Sequence, residues 1–192
     1  MDGRLKVITP VSGEPISVDD VKDHLRIDTA DEDDYIADLI FAAREYAEKY
    51  TRLSLATQTL ELMMDAFRGE DYFELPGSPV QSVTSIKYTD ASGIETVMTS
   101  GIDYLTDLDR LPARIVRPYG KSWPVVTLHP VAPIRIRYIT GYDGSTLKIP
   151  YNLKAGILIH VGLLYQYRDV EIPSGAVNTI KRLYDMHRAV WF

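Results

Sequence analysis

The stretch DEDDYIADLIFAAREYAEKYTRLSLATQTLELM, residues 31–63, changes its hydrophobic period partway along, and that change decides how the chain is built. From Asp31 to Leu53 the apolar residues Ile36, Leu39, Ile40, Ala43, Tyr46, Ala47, Tyr50 and Leu53 recur at steps of three and four. That spacing lines one face of a helix, with Arg44, Glu45, Glu48 and Lys49 expected on the wet side. At Thr57 the rhythm becomes alternate. Thr57-Gln58-Thr59-Leu60-Glu61-Leu62-Met63 sends polar and apolar side chains to opposite faces, as a half-buried strand does. A helical segment therefore hands over to a β-rich one close to residue 57.

Upstream, Ser17-Val18-Asp19-Asp20 carries an N-cap hydroxyl with a carboxylate three residues later, which predicts a short helix ending near Arg26 or Ile27. Downstream, short strand-like runs at 72–75, 80–89, 95–98, 104–108, 114–117, 125–128 and 134–140 are separated by turn clusters at 76–79, 90–93, 117–120 and 141–144. Eight of the eleven prolines lie between Pro76 and Pro150, which leaves little room there for a long helix. Helix returns at 151–168, apolar nearly all round, so it must be covered on most sides by its own chain or by a neighbour. Gly156 and Gly162 weaken it by about 1 kcal/mol each and are expected where another backbone packs close. A last helix starts near Ser174 and ends around Arg188. The expected fold class is α+β: a helical bundle of two N-terminal and two C-terminal helices, with an antiparallel β-sandwich-like block inserted between helices 2 and 3. The expected division is 1–57 with 143–192 as helical core, and 58–142 as the inserted β-rich domain.

The 192 residues carry 21 Lys and Arg against 27 Asp and Glu, a formal charge of −6, and no cysteine. The lack of cysteine excludes a disulfide framework, thiolate zinc sites and thiol catalysis. The negative charge argues against broad, sequence-independent binding of nucleic acid. It is unevenly spread: residues 1–57 hold 13 acids and 7 bases, residues 143–192 hold 4 and 6. An acidic front and a mildly basic tail suit head-to-tail contacts, though solvated faces alone produce the same split. The N-terminus has no apolar stretch of the signal-peptide kind, and the most apolar run, 156–165, is well short of the ~20 residues a membrane helix needs. Neither a leader nor a membrane partner is expected.

Little in the sequence carries chemistry. His24, His129, His160 and His187 are scattered without ligand spacing, and no glycine pattern cradles a phosphate. Nothing calls for a cofactor or a metal. Asp31-Glu32-Asp33-Asp34 is the densest acidic cluster, yet it lacks the alternating ligands and central glycine of a calcium loop. Carboxylates in a helix's first turn also complement its dipole. Arg135 and Arg137 flank Ile136 on a predicted strand and share one face, either a wet face paired across the strands or a subunit or DNA contact. The apolar ending Ala189-Val190-Trp191-Phe192 suggests an anchor, on a partner or on the chain itself.

Taken in order, several blocks resemble tailed-phage head–tail connector proteins, also called head-completion adaptors. They are residues 14–28 (EPISVDDVKDHLRID), 31–40 and 42–51, then 75–88 (LPGSPVQSVTSIKY), 136–142 (IRYITGY), Ile149-Pro150 and the helix end at Tyr165 to Arg168. The pattern departs at 183–188, where the family has a proline before the arginine. The resemblance implies a non-enzymatic virion protein at the head–tail junction, assembled in the host cytoplasm. It implies a homo-oligomeric ring below a twelvefold portal, in contact with the portal and with a downstream head-completion or tail protein. DNA would pass through the centre without sequence-specific binding. On this reading Asp31, Glu32, Asp33, Asp34, Arg135 and Arg137 are ring or channel contacts. Arg188, Val190, Trp191 and Phe192 anchor the chain to portal or neighbour. Two other readings stay open. A free-standing β-sandwich module recognising protein or carbohydrate predicts an aromatic-lined groove on the β block. A hydrolase using carboxylates among Asp103, Asp107 and Asp109 predicts a pocket around one of them.

Overall fold

The computed structural model describes residues 3–67, 71–168 and 170–189. They form two compact units: residues 3–11 with 57–141, and residues 12–56 with 142–189. The class is α+β, with a sheet block between the second and third helices.

In the first unit the strands are β1 (Gly3–Thr9), β2 (Gln58–Met64), β3 (Tyr72–Glu74), β4 (Val80–Thr89), β5 (Glu95–Val97), β6 (Leu105–Asp107), β7 (Arg114–Val116) and β8 (Ile134–Thr140). An antiparallel sheet runs β1-β2-β8-β4-β5, and a smaller one runs β3-β7-β6. Strand β8 lies at the middle of the larger sheet and alternates cleanly. Ile134, Ile136 and Tyr138 are fully buried, while Arg135 and Arg137 are exposed. The core joins these to Leu60, Leu62, Ile86, Leu75, Ile115 and Trp123, so both sheets close over one apolar interior. The Tyr138 hydroxyl, deep in that interior, donates to the Pro76 carbonyl at 2.8 Å, which satisfies a donor that burial would otherwise strand.

Two expectations change here. Strand β1 was read as part of the helical segment, yet it pairs antiparallel with β2 along its length, and residues 3–11 group with the sheet. Its alternation of Arg4, Leu5, Lys6 and Val7 is a period-two signal that the basic residues disguise. Conversely, the run at 125–128 forms no strand. It makes a single bridge, Asp90 to Leu128, and Val125 is 92% exposed. Pro124 and Pro130 bracket the run, and Pro at its head removes a ladder donor.

The second unit holds α1 (Val18–Leu25), α2 (Asp33–Thr51), α3 (Tyr151–Gln166) and α4 (Ser174–Asp185). Ser17 caps α1 as its sequence predicts. Its hydroxyl accepts from the Asp20 N–H at 3.0 Å, and the Asp20 carboxylate accepts from the Ser17 N–H at 3.0 Å. Helix α3 packs against each of the other three helices, with Leu153, Gly156, Ile157, His160 and Val161 buried. Gly156 meets a side chain rather than the expected backbone: a Cβ there would lie 2.6 Å from Tyr184 Cε1. At Gly162 the neighbour is Leu25 Cδ2, at 3.2 Å.

The wet side of α2 also differs from expectation. Arg44 is buried, held by Glu14 through Nε at 2.7 Å and by Glu48 through Nη1 at 2.8 Å. The second Glu48 oxygen accepts the Leu55 N–H at 2.7 Å. The 12–16 segment and the turn after α2 cover that flank, so two residues that an isolated helix would hydrate become an internal ion cluster. Burial pushes the Glu48 carboxyl up, against the opposing pull of the Leu55 N–H and Arg44.

Candidate interaction surfaces

The four carboxylates at the start of α2 do not act together. Glu32 accepts from the Tyr165 hydroxyl and from Arg168 Nη2 at 2.8 Å, and these two bonds hold its carboxyl below the usual range. The Arg168 guanidinium also lies 4.5 Å over the rings of both Tyr35 and Tyr165. Asp33 pairs with Lys22 at 2.9 Å. Asp31 and Asp34 stay exposed. No group of three or more metal-ligating side chains gathers among the described residues. Half of the cluster is therefore internal fastening between helices, and half is surface.

On α2 the outward face continues from Asp34 through Asp38, Phe41 and Glu45, at steps of four, three and four, all exposed. Phe41, 49% exposed, is the apolar centre of this acidic stripe. The spacing was visible in the sequence, but the charged residues first read as wet there included Arg44, which is buried, and Glu48, which is half-buried.

The larger sheet presents the opposite charge. Directly paired residues across its strands give one row Arg4, Met63, Arg135, Lys87, Val97 and a second row Lys6, Glu61, Arg137, Ser85. Residues opposite one another share a face, so Arg135 and Arg137 stand beside the unforeseen Arg4, Lys6 and Lys87. Arg137 holds Glu61 at 2.7 Å, Lys87 holds Glu95 at 2.7 Å, and Arg4 approaches Asp65 at 3.6 Å. Lys6 and Arg135 have no ion pair among the described residues.

Beyond α4, Arg188 stacks 5.5 Å over Tyr50, whose hydroxyl donates to Asp185 at 2.7 Å. The Ala189 N–H donates to the Thr51 carbonyl at 2.9 Å. The chain is thus pinned to the end of α2 up to Ala189. Val190, Trp191 and Phe192, the other anchor residues named from sequence, lie outside the described residues.

A groove of about 630 Å³ does open on the sheet unit beside Phe67, Trp123 and the 124–128 run. Its aromatic faces are already occupied: Phe67 stacks on Trp123 at 5.7 Å, and Phe73 lies 4.9 Å from the same indole. Among the carboxylates suggested for hydrolysis, Asp107 is held by Arg114 at 2.7 Å, and Asp103 accepts the Thr99 N–H at 2.7 Å. They serve a strand pair and a turn. No helix among the described residues is long and apolar enough to cross a membrane.

Residues 15–103 match the family described as phage gp6-like head-tail connector protein. No curated protein matches the sequence. Among solved structures, a chain from the neck of an empty gene transfer agent (GTA) particle computed with C6 symmetry superposes with a TM-score of 0.81 at 26% identity, covering 98% of this chain and 97% of that one. A chain from the neck of the native GTA particle computed with C12 symmetry gives 0.75 and 25%, over 98% and 97%. A chain from the native GTA virion gives 0.75 and 24%, over 98% and 96%. The family and these neighbours are structural components of virion-like particles. The resemblance carried by the sequence blocks is borne out as a likeness: residues 15–103 are similar to the head-tail connector family, and nearly the whole chain is similar to a subunit of a GTA particle neck.

Proposed function

We propose that this chain is a head–tail connector subunit that assembles as a closed homo-oligomeric ring, twelvefold to match a portal, seated between portal and tail in the virion and non-enzymatic. DNA passes through the ring without sequence-specific binding. The observation that carries this reading is likeness over 98% of the chain to subunits of necks computed with C6 and C12 symmetry. Identical subunits close a ring through one heterologous interface repeated around the axis. A net charge of −6 suits a protein that surrounds DNA and releases it. Exposed Asp31 and Asp34 are proposed at the channel or ring contact, with Arg135 and Arg137 on the sheet face. Arg188 and residues 190–192 are proposed as the anchor on portal or neighbour. The test is native mass and negative-stain imaging of the purified protein, alone and with portal. A ring, or a portal-dependent ring, is expected; a compact monomer that ignores portal overturns the proposal.

A further inference from the structure

We infer that the ring interface is formed by the basic outer face of the β1-β2-β8-β4-β5 sheet of one subunit and the acidic α2 stripe of the next. This rests on the ring reading above and specifies which two surfaces close it.

Three observations carry it. The first is charge. The sheet face gathers Arg4, Lys6, Lys87, Arg135 and Arg137 on a chain that is negative as a whole, and the α2 stripe offers Asp34, Asp38 and Glu45, with the Arg44 guanidinium 4.9 Å over the Phe41 ring and exposed Lys49 one turn beyond Glu45. The second is apolar content at matching places. Phe41 is half exposed at the middle of the stripe, while Met63 and the 57%-exposed Val97 lie in the same row as Arg4, Arg135 and Lys87. An apolar centre within a charged rim is the usual anatomy of a protein contact. The third is length. From Asp34 to Glu45 the stripe runs about 16 Å along the helix axis. The row of five residues across five strands spans about 19 Å. A helix laid across the strands therefore brings its acids over the basic row from end to end. The two surfaces differ, as a head-to-tail contact requires.

Duplex DNA is the competing occupant, and the face suits it less well. Glu61, Glu95 and Asp65 already neutralise three of its five cations. A DNA footprint commonly draws on about six to ten phosphate contacts.

The experiment is a charge swap in the full chain under conditions where the wild type forms rings, alone or on portal. Lys6→Glu with Arg135→Glu reverses the two unpaired cations of the sheet. Asp34→Lys with Asp38→Lys reverses the stripe. Circular dichroism and melting check that each variant folds, and Lys6→Gln with Arg135→Gln replaces the first pair if it does not. Each double variant is expected to weaken ring formation about tenfold or more, with the four changes in one chain restoring it. Raising salt should dissociate wild-type rings. Rings that persist in both double variants overturn this interface and leave the ring reading standing. A four-change chain that stays unassembled when both doubles fail also overturns the pairing. If the sheet variant instead loses retention of duplex DNA while ring mass is unchanged, the face is a DNA contact and the inference falls. A wild type that never forms a ring, with or without portal, removes both readings together.

Discussion

At the residue scale, the buried polar groups of the helical unit are its most sensitive points. Arg44, with a side chain 5% exposed, neutralises Glu48 and Glu14. Arg44→Leu leaves the largely covered Glu48 carboxylate without its cation, and unfolding free energy should fall by about 3 kcal/mol in urea titrations. Tyr184 is fully buried with no hydrogen-bond partner for its hydroxyl among the described protein atoms, and burial pushes its pKa well above the ordinary tyrosine range. Tyr184→Phe removes that stranded hydroxyl and should leave stability unchanged or raise it by about 1 kcal/mol. His160 packs edge-on against Tyr46 at 4.9 Å, and burial holds its pKa below the usual value. The unfolded chain therefore binds the proton first. Its contribution to stability is present above about pH 6.5 and is lost as pH falls from there toward the folded-state value. His160→Leu should flatten the pH dependence of the urea midpoint between about pH 7 and 5.5, a range in which histidine is the main titrating side chain.

At the element scale, the contrast between two glycines of α3 separates propensity from packing. Gly156→Ala would gain about 1 kcal/mol of helix propensity. It would also drive a methyl to 2.6 Å from the immobile Tyr184 ring, an overpacking that costs about 1–3 kcal/mol. A net loss is expected. At Gly162 the obstacle is the end of the Leu25 side chain at 3.2 Å, which can shift, so Gly162→Ala should be neutral or mildly stabilising. Thermal melts of both variants check the pair. The cap of α1 is simpler, since Ser17→Ala should cost about 1 kcal/mol by removing the acceptor for the Asp20 N–H. Elements with a strong local signal were legible beforehand. The Ser17 box, the α2 period and the β8 alternation each specify their element through neighbours a few residues away. Strand β1 and the 125–128 run were misread because both depend on a distant partner. The first finds β2, some fifty residues on, and the second makes only the single bridge from Leu128 to Asp90, just past the end of β4.

At the scale of the whole molecule, assembly is the property that matters. If residues 190–192 anchor the subunit, deleting them should weaken docking to portal while the melting curve of the remaining chain is unchanged; unaltered docking refutes the anchor. Neutralising Asp31 and Asp34 together, the exposed half of the acidic cluster, should alter ring mass or DNA ejection and leave the fold intact. The same substitution at Glu32 or Asp33 should instead loosen the helices, because those carboxylates are bonded to Tyr165, Arg168 and Lys22. Melting curves and ring mass, measured side by side, distinguish the two halves.

The sequence by itself determined the order of the four helices with a β-rich block between the second and third, the change of period near residue 57 and the central place of the apolar helix α3. Hydrophobic periodicity is a local quantity, and it survives in a single chain read from end to end. The residue blocks themselves carried the resemblance to head–tail connectors. Only the tertiary structure decided which charges remain available for a partner. Whether a carboxylate faces solvent or a neighbouring guanidinium depends on residues brought together across the chain, as Glu32 is with Arg168 and Glu14 with Arg44. The basic sheet face is of the same kind, because its rows join residues 4, 63, 135 and 87 through strand registers that exist only once the sheet has formed.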